Sequence, residues 1–286
     1  MTEDTTQDTG QEALPPAAIS LACIARRGAL SSARTRCVPD EIAVAFTVHG
    51  STHAVMMASP IDLEDFGVGF ALSEGLVEDA SEIESLEVVT MPLGIEVRLW
   101  LRQDRGKVYG DRRRTLAGPT GCGLCGIESL EAAMRPAPRL VSNAVCFEPQ
   151  AIVAAMAALS QGQDLHEKTH AVHAAGFWTQ AAGLVAVRED VGRHNALDKL
   201  GGALARTNQP AADGVVVMTS RVSVELIQKT ARFGVPVLAA ISAPTAAAVR
   251  LAEACNMTLV AVARGQDFEI FTHPERLKAE ASRHVA

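Results

Sequence analysis

The chain has 286 residues, 48% of them hydrophobic, 21% charged and only 4% aromatic, which predicts one large or two smaller globular domains with a core of Ala, Val, Leu and Ile. A formal net charge of −7 argues against a general nucleic-acid binder, and no apolar run reaches the roughly 18 residues of a membrane span. Residues 1–16 are acidic, rich in Thr and Gln and without an apolar stretch, unlike a secretory signal, so the sequence points to a cytoplasmic protein.

Residues 1–18 lack periodicity and read as a disordered tail. From Glu41 the side chains alternate, with Ile42, Val44, Phe46 and Val48 on one face. The turn His49-Gly50-Ser51-Thr52 and then Val55 and Met57 complete a β-hairpin. Ser59-Pro60 reads as a helix start, with Ser as the cap and Pro in the first turn. That helix carries Leu63, Phe66, Phe70 and Leu72 on its apolar face and runs to about Gly75. Strands at 86–90 and 95–101 close an N-terminal α+β domain over 19–101. A basic stretch follows at 102–121, readable as a solvated connection or as an arm for an anionic ligand or acidic partner. With a cysteine loop and a short helix at 127–134 it forms a linker over 102–148.

From 149 to 286 helix and strand alternate. Helices are expected at 151–159, 195–204 and 223–233 and up to residue 254, strands at 184–187, 215–218, 237–241 and 258–263. Strands apolar on both faces and joined by helices predict a parallel sheet covered on both sides, an α/β sandwich. Ligands of such sheets sit at the carboxyl ends of the strands. The turns there carry Thr219, Ser220 and Arg221, then Ser242 and Thr245, then Arg264 and Gln266. Backbone N–H groups at helix starts and two arginines suit an anionic ligand such as a phosphate; the plainer reading makes the Ser and Thr residues helix caps. No Walker sequence is present, and the one GxGxxG spacing, at Gly121–Gly126, follows a long polar stretch and not a strand, which disfavours those nucleotide-binding folds.

Six cysteines stand at 23, 37, 122, 125, 146 and 255, and in a reducing compartment they should be free thiols. Four are isolated and read as small core residues. Cys122 and Cys125 lie in Gly121-Cys122-Gly123-Leu124-Cys125-Gly126, where glycines leave sulfur accessible. The arginines before the loop and the helix start after it favour the thiolate, which could carry sulfur as a persulfide. Three other readings compete. A structural zinc site needs four ligands, and no second CxxC exists. A thioredoxin-type pair opens a helix directly after a strand, whereas a long polar stretch precedes this one. A zinc deaminase places H-x-E before P-C-x-x-C, and here His273-Pro274-Glu275 follows the cysteines.

Several blocks together resemble the formate dehydrogenase accessory sulfurtransferases, the FdhD family. They are Met56-Met57-Ala58-Ser59-Pro60, Gly69-Phe70-Ala71-Leu72-Ser73-Glu74-Gly75, the 121–126 loop and Glu189-Asp190-Val191-Gly192-Arg193-His194-Asn195-Ala196-Leu197-Asp198-Lys199. Ser220-Arg221-Val222-Ser223 with Glu225, Ser242-Ala243-Pro244-Thr245, Thr258-Leu259 and Thr272-His273-Pro274 continue the series in the same order, from about residue 40 to 277. The resemblance implies a cytidine-deaminase-like second domain and a sulfur carrier that is expected to be a homodimer. Sulfur would pass from a cysteine desulfurase through a persulfide on Cys122, with Cys125 as its partner. The recipient would be the bis-molybdopterin guanine dinucleotide molybdenum cofactor, a bound client, before its insertion into formate dehydrogenase; no stoichiometric metal of the protein's own is expected. The family's cofactor-binding segment corresponds to Val262-Ala263-Arg264-Gly265-Gln266-Asp267, and Arg221, Ser220, Ser242, Arg193 and His194 are further candidates. Within the 189–199 block Asp190 could simply cap the helix, Lys199 be solvated, and Arg193 and His194 close the turn; equally, that turn could meet guanine or pterin. One departure is Thr169-His170-Ala171-Val172 before His173, where many members have Thr-Gly-Gly. Other functional readings are a non-covalent cofactor chaperone and a thiol–disulfide oxidoreductase.

Overall fold

The computed structural model describes residues 13–102, 137–141 and 145–278. The cysteine loop with Cys122 and Cys125, the basic stretch after Arg102 and the expected helix at 127–134 lie outside the described residues, as does the tail up to residue 12. The tail was expected to reach residue 18, but a strand starts there. Strands β1 (Ala18–Arg27) and β2 (Leu30–Pro39) form an antiparallel hairpin. Its side chains are almost all exposed, so neither face imposes the alternation by which a strand is recognised in sequence.

Strands β3 (Ile42–Val48) and β4 (Ser51–Ala58) form the expected hairpin. Its turn residues His49 and Gly50 both have positive φ, 49° and 76°, the handedness that suits the twist of paired strands. The helix α1 (Leu63–Ser73) starts later than expected, with Asp62 in the cap position. Ser59 is no cap; its groups are turned to the second half of the molecule. Strands β5 (Ile83–Met91) and β6 (Gly94–Leu101) complete a sheet of order β4-β3-β6-β5. Alternate side chains of β3 and β6, among them Val44, Phe46, Val97 and Leu99, meet Leu63, Phe66 and Phe70 of α1. Phe46 stacks on Phe70 at 4.1 Å and meets the edge of Phe66 at 4.8 Å.

The rest of the chain runs through α2 (Pro149–Gln161), α3 (Asp164–Thr169), β7 (His173–Thr179), β8 (Gly183–Asp190) and α4 (Arg193–Arg206). It continues through β9 (Gly214–Met218), α5 (Val224–Arg232), β10 (Val237–Ala240), α6 (Ala246–Ala254), β11 (Thr258–Arg264) and β12 (Asp267–Thr272). The sheet order is β12-β11-β10-β9-β7-β8. Only β9, β10 and β11 pair in parallel; β7 runs antiparallel to β8 and β9, and β12 antiparallel to β11. The expected parallel sheet is therefore mixed. β7, buried along nearly its whole length, shows no alternation and was not predicted; β12 is a largely exposed edge.

Helices cover both faces of this sheet. One core joins Leu197, Leu200, Leu226, Ile227 and Ala252 of α4, α5 and α6 to Phe177, Val216, Leu238 and Leu259. The other joins Ile152, Ala155 and Leu159 of α2 to Val215, Val217, Ala239 and Val260. Of the four cysteines expected in the core, Cys255 is buried, Cys37 is half-buried, and Cys23 and Cys146 are exposed. Cys23 lies on the open β1–β2 hairpin, where there is no core to enter.

The two sheets are joined through α1 and α4, which pack backbone against backbone. A Cβ on Gly69 would stand 1.7 Å from the Asp198 carbonyl oxygen, and one on Gly202 would stand 1.8 Å from that of Asp65. No side-chain adjustment can relieve a clash with backbone, so the helices must separate to admit even a methyl group. Gly202→Ala is therefore expected to cost about 3 kcal/mol of folding stability or more, measured by denaturant unfolding. A loss below about 0.5 kcal/mol would contradict this packing.

Candidate functional site

A buried ion pair lies where the two halves meet. Lys199 of α4 and Asp190 at the end of β8 both have fully buried side chains and stand 2.6 Å apart. Asp190 Oδ2 also accepts from the Ser59 backbone N–H at 3.0 Å. Its Oδ1 accepts from the Gly192 N–H at 2.7 Å and the Asn195 amide at 2.9 Å. The Lys199 ammonium donates in addition to the Ser59 carbonyl at 2.9 Å and the Glu189 carbonyl at 3.5 Å, and it sits 5.5 Å from the Phe66 ring centre. Burial pushes the Lys199 pKa down, and the carboxylate opposes that push. The Ser59 hydroxyl accepts the Val191 N–H at 3.2 Å, and Asn195 reaches the Met57 carbonyl at 2.9 Å. Lys199 is thus not solvated, and Asp190 holds the turn that leads into α4.

Further charges cross the same junction. Asp65 of α1 accepts from Arg188 at 2.6 and 2.8 Å and from Arg206 at 2.5 Å. Lys229 of α5 bonds both oxygens of buried Asp198, at 2.7 and 2.9 Å, and the Ser73 hydroxyl at 2.9 Å. Burial pushes the Asp198 carboxyl up against the pull of that ammonium. Glu189 accepts the Leu165 and His166 N–H groups at 2.7 and 2.8 Å and so caps α3. Asp65, Arg188, Arg206 and Lys229 were not singled out from sequence, and Asp198 only as part of the 189–199 block, because isolated charges on helices and strands read as solvated.

The fold brings the candidate residues of three turns together at one sheet edge. Val222 and Pro244 form an isolated bridge, the Thr245 N–H reaches the Val222 carbonyl at 2.9 Å, and the Val262 N–H reaches the Ser242 carbonyl at 3.4 Å. Antiparallel pairing puts His173 at the same edge, and the 190–194 turn adjoins it through β8. Arg221 and Arg264 are exposed there, whereas Ser220 is buried and its hydroxyl donates to the Arg221 carbonyl at 3.0 Å. Thr245 caps α6, as the plainer reading held for such residues. Two of the three turns enter helices. The third does not, because Arg264-Gly265-Gln266-Asp267 folds back into β12. Ala263 is buried within β11, and Val262 is held at φ 53° where the register shifts, a bulge beside the edge. Gln266 and Asp267 line a groove of about 590 Å³ with Pro149, Gln150 and Lys278. His170 has a left-handed φ of 54°, so the departure before His173 places a non-glycine where glycine is favoured. Among the described residues no cluster of three or more His, Cys, Asp or Glu is arranged to hold a metal, and no helix is long and apolar enough to cross a membrane.

Arg193 and His194 open α4, and Arg193 Nε and His194 Nε2 are buried without hydrogen-bond partners. Burial first, then the charges of Arg193 and Lys229, push His194 down to about 4; burial and Arg193 also lower His173. Both rings are neutral near pH 7.

The chain matches the FdhD/NarQ family over residues 39–278, and it belongs to that family. A sulfur carrier protein FdhD from Agrobacterium fabrum is 54% identical over 242 residues, 85% of this chain and 89% of the relative. Its namesake from Brucella abortus is 51% identical over 243 residues, covering 85% and 90%. A solved structure described as a formate dehydrogenase accessory protein, from Desulfotalea psychrophila, superposes with a TM-score of 0.70 at 24% identity. It covers 92% of this chain and all of that one and shares the mixed α/β fold.

The lowered His194 pKa ties stability to pH. An unfolded imidazole titrates near 6.5 and the folded one near 4, so acid protonates the unfolded chain first. The stability is complete above about pH 6.5 and falls by on the order of 3 kcal/mol as the pH drops through about 4. Denaturant unfolding of His194→Gln is expected to show a shallower decline between pH 6.5 and 4.5 than the unsubstituted protein. An unchanged decline would assign that pH dependence to other groups.

Proposed function

We propose that this chain is a cytoplasmic sulfur carrier that acts through a persulfide on Cys122. The observation that carries this reading is the 54% identity, over 85% of the chain, to a relative named as a sulfur carrier protein. The cysteine loop with its preceding arginines supports it, since an accessible thiol in a basic setting is held partly as thiolate. The Cys122 thiolate attacks the outer sulfur of a desulfurase persulfide. The S–S bond there breaks, the desulfurase cysteine leaves as thiolate, and the transferred sulfur stays on Cys122 with no net oxidation. Release as sulfide requires two electrons. Cys125 supplies them by attacking Cys122 Sγ, which closes a Cys122–Cys125 disulfide and expels HS⁻.

The recipient we infer is the bis-molybdopterin guanine dinucleotide molybdenum cofactor on its way to formate dehydrogenase, bound as a client at the carboxyl edge of the six-stranded sheet. Exposed Arg221 and Arg264 suit its phosphates. The unpartnered polar atoms of Arg193 and His194 at the same edge fit a polar ligand. Cys125 acts on persulfidated Cys122 and displaces HS⁻, which separates the carrier from a simple thiol–disulfide oxidoreductase.

Mass spectrometry after incubation with a cysteine desulfurase and cysteine tests the reading. One added sulfur is expected on the Cys122 peptide, and Cys122→Ala should abolish it. Cys125→Ala should load normally but release no sulfide unless an outside thiol is added. Sulfur found on exposed Cys146 in the Cys122→Ala protein would remove Cys122 from the mechanism.

A further inference from the structure

The β1–β2 hairpin stands apart from the rest of the molecule, and none of its side chains enters a hydrophobic core. Its root rests on the body, with Cys37, Val38 and Pro39 half-buried, while residues 26–36 are all exposed. Ten residues per strand, at about 3.3 Å each, give an arm of roughly 30 Å. Two strands alone are marginal in water, so such an arm gains from a surface to lie on. Residues 13–39 contain Arg26, Arg27, Arg34 and Arg36 and no Asp, Glu or Lys. All four arginines are exposed. The hairpin thus carries +4 in a chain of −7, which leaves −11 on the remainder. Aliphatic exposure rises along the arm, from 37% at Ile19 and 48% at Leu21 to 78% at both Ile24 and Leu30. The turn between the strands is the pair Gly28-Ala29, with Gly28 at φ 61°. Arg27 pairs with Leu30 and Ile24 with Ala33, so each face of the tip has one aliphatic and one arginine. Leu30 and Arg27 share one face, Ile24 and Arg26 the other.

We propose that this hairpin is a peripheral anchor for an anionic lipid surface. Ile24 and Leu30 enter the interface, and Arg26, Arg27, Arg34 and Arg36 pair with lipid phosphates. Aliphatic side chains leave water for the acyl boundary, and the guanidinium fork matches phosphate oxygens. The length of the arm decides the charge balance. The acidic body is repelled by the same lipid, but salt screens that repulsion beyond about 8 Å, well within the reach of the arm. Two other kinds of partner fit less well. A nucleic acid would lie close to a body of −11, and residues 13–39 hold no aromatic side chain on which bases could stack. A protein partner takes its anchors, often aromatic, near the centre of a packed patch. Here the most exposed aliphatics stand at the far end of the arm and on opposite faces. The inference rests on the hairpin alone and is independent of the sulfur-carrier reading.

Sedimentation of the full chain with vesicles tests it, using phosphatidylcholine alone and phosphatidylcholine mixed in equal parts with phosphatidylglycerol. Binding is expected on the mixed vesicles only, and it should weaken as salt rises. Arg26→Ala and Arg27→Ala should each reduce it about fivefold, the effect of one basic residue near such a surface. Ile24→Ser combined with Leu30→Ser should reduce it about tenfold or more. All four positions are exposed, so the unfolding midpoint should stay where it is. Leu30→Trp gives a second reading, because its added fluorescence should be quenched by brominated lipid in the mixed vesicles. No binding to mixed vesicles, equal binding to both kinds, or binding unchanged by the arginine substitutions would overturn the proposal. An unquenched Leu30→Trp would overturn it too, leaving surface attraction without insertion. Without vesicle binding, self-association abolished by the paired serine substitutions would assign the arm to a second copy. Arginine-dependent binding of RNA in place of vesicles would assign it to nucleic acid, and either result would replace the lipid.

Discussion

The ion pair between Lys199 and Asp190 is the constraint from which the rest of the architecture follows. Two full charges without solvent exposure are tolerable only when their remaining hydrogen-bonding capacity is met. Here it is met by groups from both halves of the chain: the N–H and carbonyl of Ser59 from the first, Gly192 and Asn195 from the second. The second half alone, which carries both charges, would leave them short of partners. Removing one member of such a pair costs about 3–5 kcal/mol, so the junction is specified as well as stabilised. The glycines at 69 and 202 serve the same end, since only their lack of a side chain lets α1 and α4 approach closely at this junction.

The pair also shapes the edge where the candidate residues gather. Asp190 fixes Gly192 and Asn195, and Arg193 and His194 lie between them, so the buried charge also sets where the turn carries them. A turn clamped from below can hold unpaired polar atoms at its upper side, a cost of about 1–3 kcal/mol each that a ligand would relieve. Neighbouring hydroxyls are spent internally on Ala174, Arg221 and α6, which keeps those turns rigid. The turns below are thus tied down while the polar atoms of Arg193 and His194 stay open.

Much of this was legible in the sequence, for reasons that differ by element. The β3–β4 hairpin declared itself through alternation around His49-Gly50, and β9 and β10 through short unbroken apolar runs. The edge was legible because Ser220, Arg221 and Ser242 each follow a strand and Arg264 ends one. The β1–β2 hairpin was not, because its exposed faces need no pattern. Lys199 reads as solvated until the fold brings Ser59 to Asp190, 131 positions away. The turn after β11 misled because a strand, not a helix, follows it.

Because one buried pair organises both the junction and the turn at 190–194, amide hydrogen exchange of Lys199→Met reads its reach. Residues 57–61 and 190–196 are expected to lose protection together and by similar factors, while β9 and β10 in the sheet interior keep theirs. Unchanged exchange in the 190–196 turn, or a loss spread evenly over all the strands, would contradict it.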